Sequence, residues 1–270
     1  MKKILYLTDL NYPAKGRNYG EEDIFLTGAL KDSFDLALCH PKNAAAFEDD
    51  ADLIVFRNTG SVLGYQDIYD AFVQRVKQKG LRTFNEFCGK ADMCGKQYLL
   101  ELTEKGYPVI PTVDRIEAFQ KLPAAQWYVI KPKNGADSIG LSFLSENELL
   151  AHPPESGVFV IQPAIDFLYE VSFYFINDSL EYAMYAPDKT CRWKLEPYAF
   201  STEDRAFAEQ LIQWNSIKNG IQRVDACRTK DGRLLLMELE DLNPYLSILE
   251  VDTDTRERFM KDLIAALQAY

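Results

Sequence analysis

Cysteine and histidine are scarce in this chain, which limits the kinds of site it can build. Its five cysteines are irregularly spaced and form no C-x-x-C pair. That pattern predicts free thiols in a reducing compartment such as the cytoplasm, and it argues against disulfide bonds and zinc centres. The two histidines, His40 and His152, are too few for a histidine-based metal site.

Positive charge and long apolar runs are limited as well. The chain has 30 lysines and arginines against 41 aspartates and glutamates, a net charge of −11. This balance argues against nucleic acid or an anionic membrane as the main partner. No run of 18 apolar residues occurs, so no membrane span is predicted. The opening MKKILYLTDL lacks the long apolar region of a signal peptide, and we interpret it as a first strand.

Several motifs that carry chemistry are also absent. No glycine-rich dinucleotide fingerprint follows the first strand, and no GK[ST] P-loop occurs. These absences argue against a Rossmann-type nicotinamide site and against a P-loop nucleotide site. The sequence offers no Ser-His-Asp or Cys-His set either, so the chemistry is not expected to use a protein nucleophile.

What the chain does have is a globular composition, with 47% hydrophobic and 13% aromatic residues. Its first part predicts strands at 3–8, 34–39, 52–56 and 81–85, separated by helices at 21–31 and 66–78. The first of these helices is expected to bury Ile24, Phe25, Gly28 and Leu30. This alternation predicts a parallel, doubly wound α/β sheet.

Beyond residues 85–110 the pattern changes to antiparallel hairpins with helices, which is an α+β pattern. A helix is expected at 91–105, ending at Gly106 as its C-cap. We predict three domains, at 1–88, 89–164 and 165–270, of which the first is the substrate-side domain.

Two loops of the predicted parallel sheet are candidates for a ligand crevice, because such crevices form at the carboxyl ends of the strands. They are Asp9–Gly20 and Arg57–Ser61. Arg57 is a candidate ligand for a substrate carboxylate. The alternative interpretation is that both segments are plain connectors.

The segment RVDACRTKDGRLLLMELE, residues 223–240, predicts a β-hairpin with its turn at Asp231-Gly232. Residues two apart in a strand face the same side, so Glu238 and Glu240 point together, and Asp225 lies on the neighbouring strand. Three carboxylates on one face suit Mg²⁺ with a nucleotide phosphate completing its shell. The alternative is a solvated acidic face on an ordinary hairpin.

Further candidate contacts lie between residues 131 and 194. Lys131 ends a strand before a glycine loop at 134–140 whose backbone N–H groups suit phosphate oxygens, although a plain turn with a surface lysine is the alternative. Gln162 ends an apolar strand whose exposed backbone suits an adenine edge, and Glu170 suits ribose hydroxyls, although a simple loop between strands is the alternative. Arg192 and Lys194 are expected to share one strand face, where they would bind the γ-phosphate or an anionic substrate. The alternative is a basic strand that faces solvent.

Taken in order, four segments resemble the ATP-grasp superfamily, in particular its branch with RimK-type ligases, glutathione synthetase and D-alanine–D-alanine ligase. The resemblance covers about residues 84–270. FNEFCGKADMCGKQYLLELTEKGYPVIPT resembles the family's asparagine, first lysine, helix and G-x-P-x-P-T segment, and YVIKPKNGADSIGLSF resembles its second lysine and glycine loop. IQPAIDFLYEVSF resembles the adenine hinge and ribose acid, and RVDACRTKDGRLLLMELEDLNP resembles the R-x-D … E-x-N-x-x-P metal segment. The resemblance implies an α/β amino-terminal domain followed by an α+β ATP-grasp fold of two lobes.

The resemblance also implies roles for individual residues. Arg223 would stabilise the charge that develops during transfer, with Arg192 and Lys194 as further cations. Asn243 and, from its position in the crevice loop, Arg57 are the candidate substrate contacts. Mg²⁺, expected as two ions, would be held by Asp225, Glu238 and Glu240. ATP would be bound by Lys96 (with Lys90 as a weaker competitor), Lys131, Gly135, Ser138, Gly140, Gln162, Ala164, Ile165 and Glu170.

Two positions depart from the family pattern. Glu240 stands where relatives often have asparagine, and Asp137 places an acid in the glycine loop. The activity implied is an ATP-dependent carboxylate–amine ligase that forms an acyl phosphate on a small amino-acid or peptide-like acid. A phosphotransferase acting on a hydroxyl and a nucleotide-binding module without turnover are the alternatives, and a homodimer is left open.

Overall fold

The computed structural model describes residues 1–14, 16–135, 140–188, 190–192 and 194–270. Its α-helices are α1 (Gly20–Leu30), α2 (Gln66–Lys79), α3 (Gln97–Glu104), α4 (Glu146–Ala151), α5 (Thr202–Asn215) and α6 (Thr253–Ala269). Its strands are β1 (Lys3–Leu7), β2 (Pro13–Ala14), β3 (Arg17–Asn18), β4 (Asp35–Cys39), β5 (Leu53–Phe56), β6 (Thr83–Phe84), β7 (Tyr128–Pro132), β8 (Ser142–Leu144), β9 (Phe159–Pro163), β10 (Phe167–Ile176), β11 (Ser179–Ala186), β12 (Glu196–Pro197), β13 (Ile221–Thr229) and β14 (Leu234–Glu240). In these ranges no helix is both long and apolar enough to cross a bilayer.

The first sheet has the strand order β4-β1-β5-β6 and is parallel throughout, as the alternating pattern predicts. Ile4 and Tyr6 of β1 belong to a core with α1 and α6, whereas Leu5 and Leu7 belong to a core with α2. Successive side chains of a strand point to opposite faces, so an uninterrupted apolar strand needs cover on both sides. The buried run at the start of the chain is therefore the centre of a two-sided layer.

The rest of the chain builds a three-stranded and a five-stranded antiparallel sheet, with the orders β8-β7-β9 and β12-β11-β10-β13-β14. The predicted hairpin is confirmed, because β13 pairs antiparallel with β14 and Gly232 adopts φ +87° in the turn between them. The antiparallel pair β10 and β11 likewise turns at Asn177, with φ +57°. The parallel-then-antiparallel order of the predicted fold class is thus present.

Helix α1 is rotated relative to the prediction. Ile24 is 55% exposed and Gly28 is exposed, whereas Glu22 and Asp23 are fully buried. Asp23 is stabilised there by the hydroxyl of Tyr6, which donates to its Oδ1 over 2.8 Å. The prediction is confirmed for Leu30, which is fully buried, and Phe25 packs against the same core. It was wrong for Ile24 and Gly28, because buried hydrogen bonds make two acids inward residues instead.

The helix expected at 91–105 begins later than predicted. A 3₁₀ turn at Asp92–Cys94 comes first, and α3 follows. Its predicted end is confirmed, because Gly106 adopts φ +71°, the left-handed conformation that terminates helices.

Asp241 explains the altered start. Its carboxylate accepts the backbone N–H groups of Ala91 (3.1 Å) and Met93 (2.8 Å) and the side-chain amide of Asn215 (3.1 Å). These bonds hold the backbone in a turn before the helix. The backbone carbonyl of Asp241 also accepts from Asn85, which fixes the end of β14 beside the first sheet.

Glu22 fixes the loop that follows β14. Its Oε1 accepts the backbone N–H of Leu246 (2.9 Å) and Nη2 of Arg57 (3.3 Å), and its Oε2 accepts the N–H of Ile248 (3.2 Å). Nη2 of Arg57 also donates to the carbonyl oxygen of Pro244 over 2.8 Å. The loop is therefore positioned by a buried carboxylate–guanidinium pair.

Replacement of this carboxylate should destabilise the protein. Glu22→Gln puts an amide N–H among groups that are themselves donors and leaves Arg57 without its counter-charge. We expect the free energy of unfolding to fall by about 2–4 kcal/mol in urea denaturation. Exposed Glu21→Gln, on the same helical turn, is the control and should change it by less than about 0.5 kcal/mol. Equal effects of the two variants would contradict the role of Glu22.

A second buried glutamate should behave in the opposite way. Burial, together with nearby Asp262, raises the pKa of Glu181 to about 7. Below the ordinary pKa of a glutamate, the Glu181 carboxyl is protonated in both the folded and the unfolded protein. Between about pH 4.5 and 7 the unfolded chain loses this proton first, so folding becomes less favourable. Glu181→Gln removes this penalty, and we expect it to raise the free energy of unfolding at pH 8 by about 1–3 kcal/mol and to change it little at pH 4.5. A destabilised variant at pH 8 would contradict this.

Candidate nucleotide and metal site

The strand register places charged side chains in neighbouring rows on one face of the five-stranded sheet. Residues directly opposite each other in paired strands lie on the same face. The bulge in the β13–β14 pairing lies just past these rows, between Asp225 and Ala226. The rows are Ser172–Asp225–Glu238 and Tyr174–Arg223–Glu240.

Arg223 links these rows. Its Nε and Nη2 donate to the two carboxylate oxygens of Asp225 over 2.9 and 2.8 Å, and Nη2 also donates to Glu240. Its Nη1 donates to the carbonyl oxygen of Tyr245 over 2.7 Å. Ser172 adds a 2.6 Å hydrogen bond to Asp225. A bidentate arginine of this kind fixes both the charge and the orientation of the acids around it.

The three predicted metal ligands lie together. Asp225, Glu238 and Glu240 each offer a carboxylate oxygen, and these oxygens are within 4.8 Å of one another. Burial raises the pKa of Glu240, and the neighbouring acids add to this while Arg223 opposes it. Glu238 is held more loosely, with Oε1 3.5 Å from Nζ of Lys96. Hard oxygen donors in this number are suited to Mg²⁺.

Lys96 lies at the start of α3 and reaches the same cleft. Its side chain is buried, and Nζ donates to the carbonyl oxygen of Gly135 over 2.7 Å. Its backbone N–H donates to the carbonyl oxygen of Lys133 over 2.8 Å. Lys96 therefore connects the acids of the large sheet with the glycine loop.

Lys131 lies on β7 among other charges. Burial lowers the pKa of Lys131, and the positive charges of Lys96 and Arg192 lower it further, while Glu238 opposes them. Arg192 forms an ion pair with Glu170 at 2.8 Å. Several cations therefore lie near one another on the side of the cleft that adjoins the small sheet, an arrangement that favours an anionic ligand.

The glycine loop is described only at its ends. Gly135 contributes the carbonyl that binds Lys96, and Gly140 adopts φ +76°. A Cβ on Gly140 would lie 2.9 Å from Cγ of Pro132, so this end of the loop requires glycine. Ser138 and Asp137 lie outside the described residues.

The predicted adenine hinge is mostly engaged within the protein. Gln162 is buried, and its Nε2 donates to Oγ1 of Thr112 over 2.8 Å. The backbone N–H of Ala164 donates to the carbonyl oxygen of Trp127 over 2.9 Å, and Ile165 is half-buried beside it. These bonds leave fewer hinge groups for an adenine edge than the resemblance implies.

The predicted basic strand is a turn instead. The backbone N–H of Lys194 bonds the carbonyl oxygen of Cys191, so strand alternation does not apply to Arg192 and Lys194. The side chain of Arg192 is 57% exposed and pairs with Glu170, and Lys194 is exposed. The prediction that they share one strand face was wrong because this turn precedes the short strand β12.

Of the two predicted substrate contacts, only Asn243 lines the cleft. Its Nδ2 donates to Oγ1 of Thr59 over 3.1 Å. Arg57 is 1% exposed and is directed at Glu22 and the carbonyl of Pro244. The structure therefore does not bring the guanidinium of Arg57 into the crevice.

A cavity of about 130 Å³ lies between the charged residues of the large sheet and the loops of the parallel sheet. Among the residues that line it, six were predicted individually: Lys96, Gly135, Arg223, Glu238, Glu240 and Asn243. Tyr12 and Tyr19 line it from the predicted crevice loop 9–20 without having been singled out, and Asp92 and Tyr245 were missed. Asn58, Gly60 and Ser61 line it from the predicted crevice loop.

The lining residues that were not singled out differ in how visible they are in the sequence. Tyr12 and Tyr19 belong to the loop 9–20 that strand topology assigned to the crevice, and their aromatic rings were the available clue. Asp92 had none, because the turn that directs it to Lys96 depends on Asp241, far away in sequence. Burial, with Glu238 and Asp241 adding to it, raises the pKa of Asp92, and Lys96 opposes this.

No protein-family model matches this chain, and no curated protein matches its sequence significantly. Its structure, however, is similar throughout to solved ligases. D-cycloserine synthetase DcsG has a TM-score of 0.72 at 17% identity, and the match covers 99% of this chain and 100% of the synthetase chain. D-alanine–D-alanine ligase from Bacillus anthracis complexed with ATP has a TM-score of 0.66 at 14% identity, covering 100% and 97%. ATP-grasp ligase PsnB, complexed with a precursor variant, Mg and ADP, has a TM-score of 0.64 at 13% identity, covering 98% and 96%. The chain therefore has the ATP-grasp fold.

Proposed function

We propose that this chain is an ATP- and Mg²⁺-dependent ligase that joins a small carboxylate to an amine through an acyl phosphate. One observation carries the proposal: a lysine, an arginine and a close set of carboxylates converge on one cleft of an ATP-grasp fold. Lys96 and Arg223 supply the cations, and Glu238 and Glu240 line the same cavity.

The nucleotide would lie between the small sheet and the large one, which act as the two lobes. Lys96 and Lys131 would bind its phosphates, with the described ends of the glycine loop, Gly135 and Gly140, beside them. The partly exposed Val129 and the exposed Phe143 are directly paired across β7 and β8, on the same sheet face as Lys131. Such an apolar pair next to a lysine suits an adenine ring next to phosphates.

The ribose contact is proposed for Glu170. Its present partner is Arg192, which is more than half exposed. Only the Arg192 end of this pair is exposed, since Glu170 is 19% exposed. Ribose hydroxyls would therefore have to replace the guanidinium at the carboxylate if Arg192 moved toward a phosphate group. Gln162 would act mainly by shaping the hinge, because its side-chain amide is bonded to Thr112.

The acidic cluster fits Mg²⁺ by its chemistry. The metal would be held by Glu238, Glu240 and Asp225. Arg223 and Ser172 would keep the Asp225 carboxylate in orientation. When bound, Mg²⁺ would neutralise charge on the phosphates. The resemblance predicts two ions, and this number stays a prediction.

The chain's own residues would then position the reactants. The substrate carboxylate attacks the γ-phosphorus, the bond to the β-phosphate oxygen breaks, and ADP leaves. The amine attacks the resulting acyl carbon, phosphate leaves, and the ammonium loses a proton to give an amide. Arg223 and Lys96 would stabilise the negative oxygens in both steps, and Arg192 and Lys194 are candidate further cations.

An ADP-release screen over pairs of carboxylates and amines with Mg²⁺ tests the proposal. We expect release that requires both partners and gives an amide. A stable phosphorylated product without an amide would instead support a phosphotransferase. Tight ATP binding without ADP release for any pair would support a nucleotide-binding module.

Glu238→Gln should abolish turnover, because it removes charge from the metal-binding set. We expect kcat to fall at least about 100-fold while the melting temperature without ligand stays close to that of the wild type. Exposed Glu196→Gln, on strand β12 at the opposite edge of the same sheet, is the control and should retain activity. Near-normal turnover by Glu238→Gln would refute the metal assignment.

Ligand-induced stabilisation gives a test that does not depend on the substrates. Mg²⁺ with a non-hydrolysable ATP analogue at about 100 times its Kd should raise the melting temperature by about 5–10 °C. The analogue in EDTA should raise the melting temperature less, because its phosphates then face the carboxylates with no Mg²⁺ between them. Equal stabilisation with and without Mg²⁺ would contradict a shared metal–nucleotide site.

A further inference from the structure

The cleft has two walls of different chemistry. One wall carries the charged residues of the site, including Lys96, Arg223 and Glu238. The opposite wall is lined by side chains that carry no formal charge at neutral pH, among the residues that the structure describes there. They are Tyr12, Tyr19, Asn58, Ser61, Asn243 and Tyr245, together with Gly60.

Three tyrosines form the body of this second wall, which we call the tyrosine wall (Tyr12, Tyr19 and Tyr245). The rings of Tyr19 and Tyr245 are stacked, with centroids 4.2 Å apart and planes 20° apart. Tyr12 meets Tyr19 edge-on, with centroids 5.4 Å apart. Stacked and edge-on rings form a stiff surface, because each ring limits the rotation of its neighbour.

The first two tyrosines flank a short hairpin made of β2 and β3. The backbone N–H of Tyr19 donates to the carbonyl oxygen of Tyr12 over 2.9 Å. Oδ1 of Asn18 accepts the N–H groups of Tyr12 and Gly20 over 3.0 and 3.1 Å, and Nδ2 of Asn58 donates to the carbonyl oxygen of Tyr19 over 3.2 Å. The base of the hairpin is therefore fixed to the parallel sheet.

The far side of the hairpin is attached to the loop that follows β14. Arg17 forms an ion pair with Glu250, and its guanidinium carbon lies 5.3 Å from the ring centroid of Tyr245. The carbonyl oxygen of Tyr245 in turn accepts from Arg223. The hairpin thus spans the cleft from the first sheet to the residue that supports the site's arginine.

The space between the two walls is small. The cavity between them has a volume of about 130 Å³. It also includes the carboxylate-lined side, so only part of it is left for a substrate. A charged group can meet Lys96 and Arg223, whereas the remainder of the molecule must fit against the rings.

We propose that the tyrosine wall limits the substrate to amino-acid size. The molecule that it admits is a free acid or amine with a small, uncharged side chain, and a peptide segment is excluded. This inference rests on the proposed ligase function and specifies the substrate class for the same cleft. Tyr19 is the specificity-determining residue, because its ring contacts both of the other rings.

The experiment compares kcat/KM for ADP release across free amino acids of increasing side-chain size and short peptides made from them. For the wild type we expect small amino acids to exceed bulky ones and peptides by at least about tenfold. Tyr19→Ala should reduce this ratio by about tenfold. Tyr19→Phe, which keeps the ring, should preserve it.

Arg17→Ala is a second variant for the case in which Tyr19→Ala does not fold. It leaves the three tyrosines in place but removes the attachment to Glu250, and it should shift the ratio in the same direction. Wild-type activity on peptides equal to that on small amino acids would overturn the inference while supporting ligase function. An unchanged ratio in a folded Tyr19→Ala, or in Arg17→Ala if the former does not fold, would also overturn it. Absence of ADP release from the wild type with every pair would overturn both the ligase function and this inference.

Discussion

The site depends on one electrostatic constraint, which is that a crowded group of partly buried acids must be compensated. Arg223 satisfies it by binding Asp225 and Glu240 together, and one N–H of its Nη1 holds the carbonyl of Tyr245. Removal of Arg223 would leave these carboxylates to repel one another at short distance. The carboxylate face, the loop after β14 and the second wall of the cleft are therefore linked through one guanidinium.

The same principle recurs beneath the cleft. Glu22 accepts hydrogen bonds from Arg57 and from two backbone N–H groups of the loop that carries Tyr245. Asp241 plays an equivalent part for Lys96 by holding the turn before α3. Each buried carboxylate fixes backbone from a distant part of the chain, so the side chains of the cleft are positioned by polar contacts as well as by apolar packing.

Several features could be predicted from local sequence. Gly232 marked the turn of the acidic hairpin, and the alternation of side chains placed Glu238 and Glu240 on one face. Predictions failed where a distant partner overrode a local pattern. Ile24 is exposed because Glu22 and Asp23 have buried partners, and Arg192 lies in a turn that no alternation describes.

The sequence by itself determined the order of elements, the parallel and antiparallel sheets, and the shared face of Asp225, Glu238 and Glu240, because these follow from periodicity and from residues close together in the chain. Only the tertiary structure decided the inward position of Asp92, the burial of Arg57 and the stacking of Tyr19 on Tyr245. These three depend on contacts between segments that are far apart in sequence. Their energies are set by burial and by partner geometry, which a linear pattern does not contain.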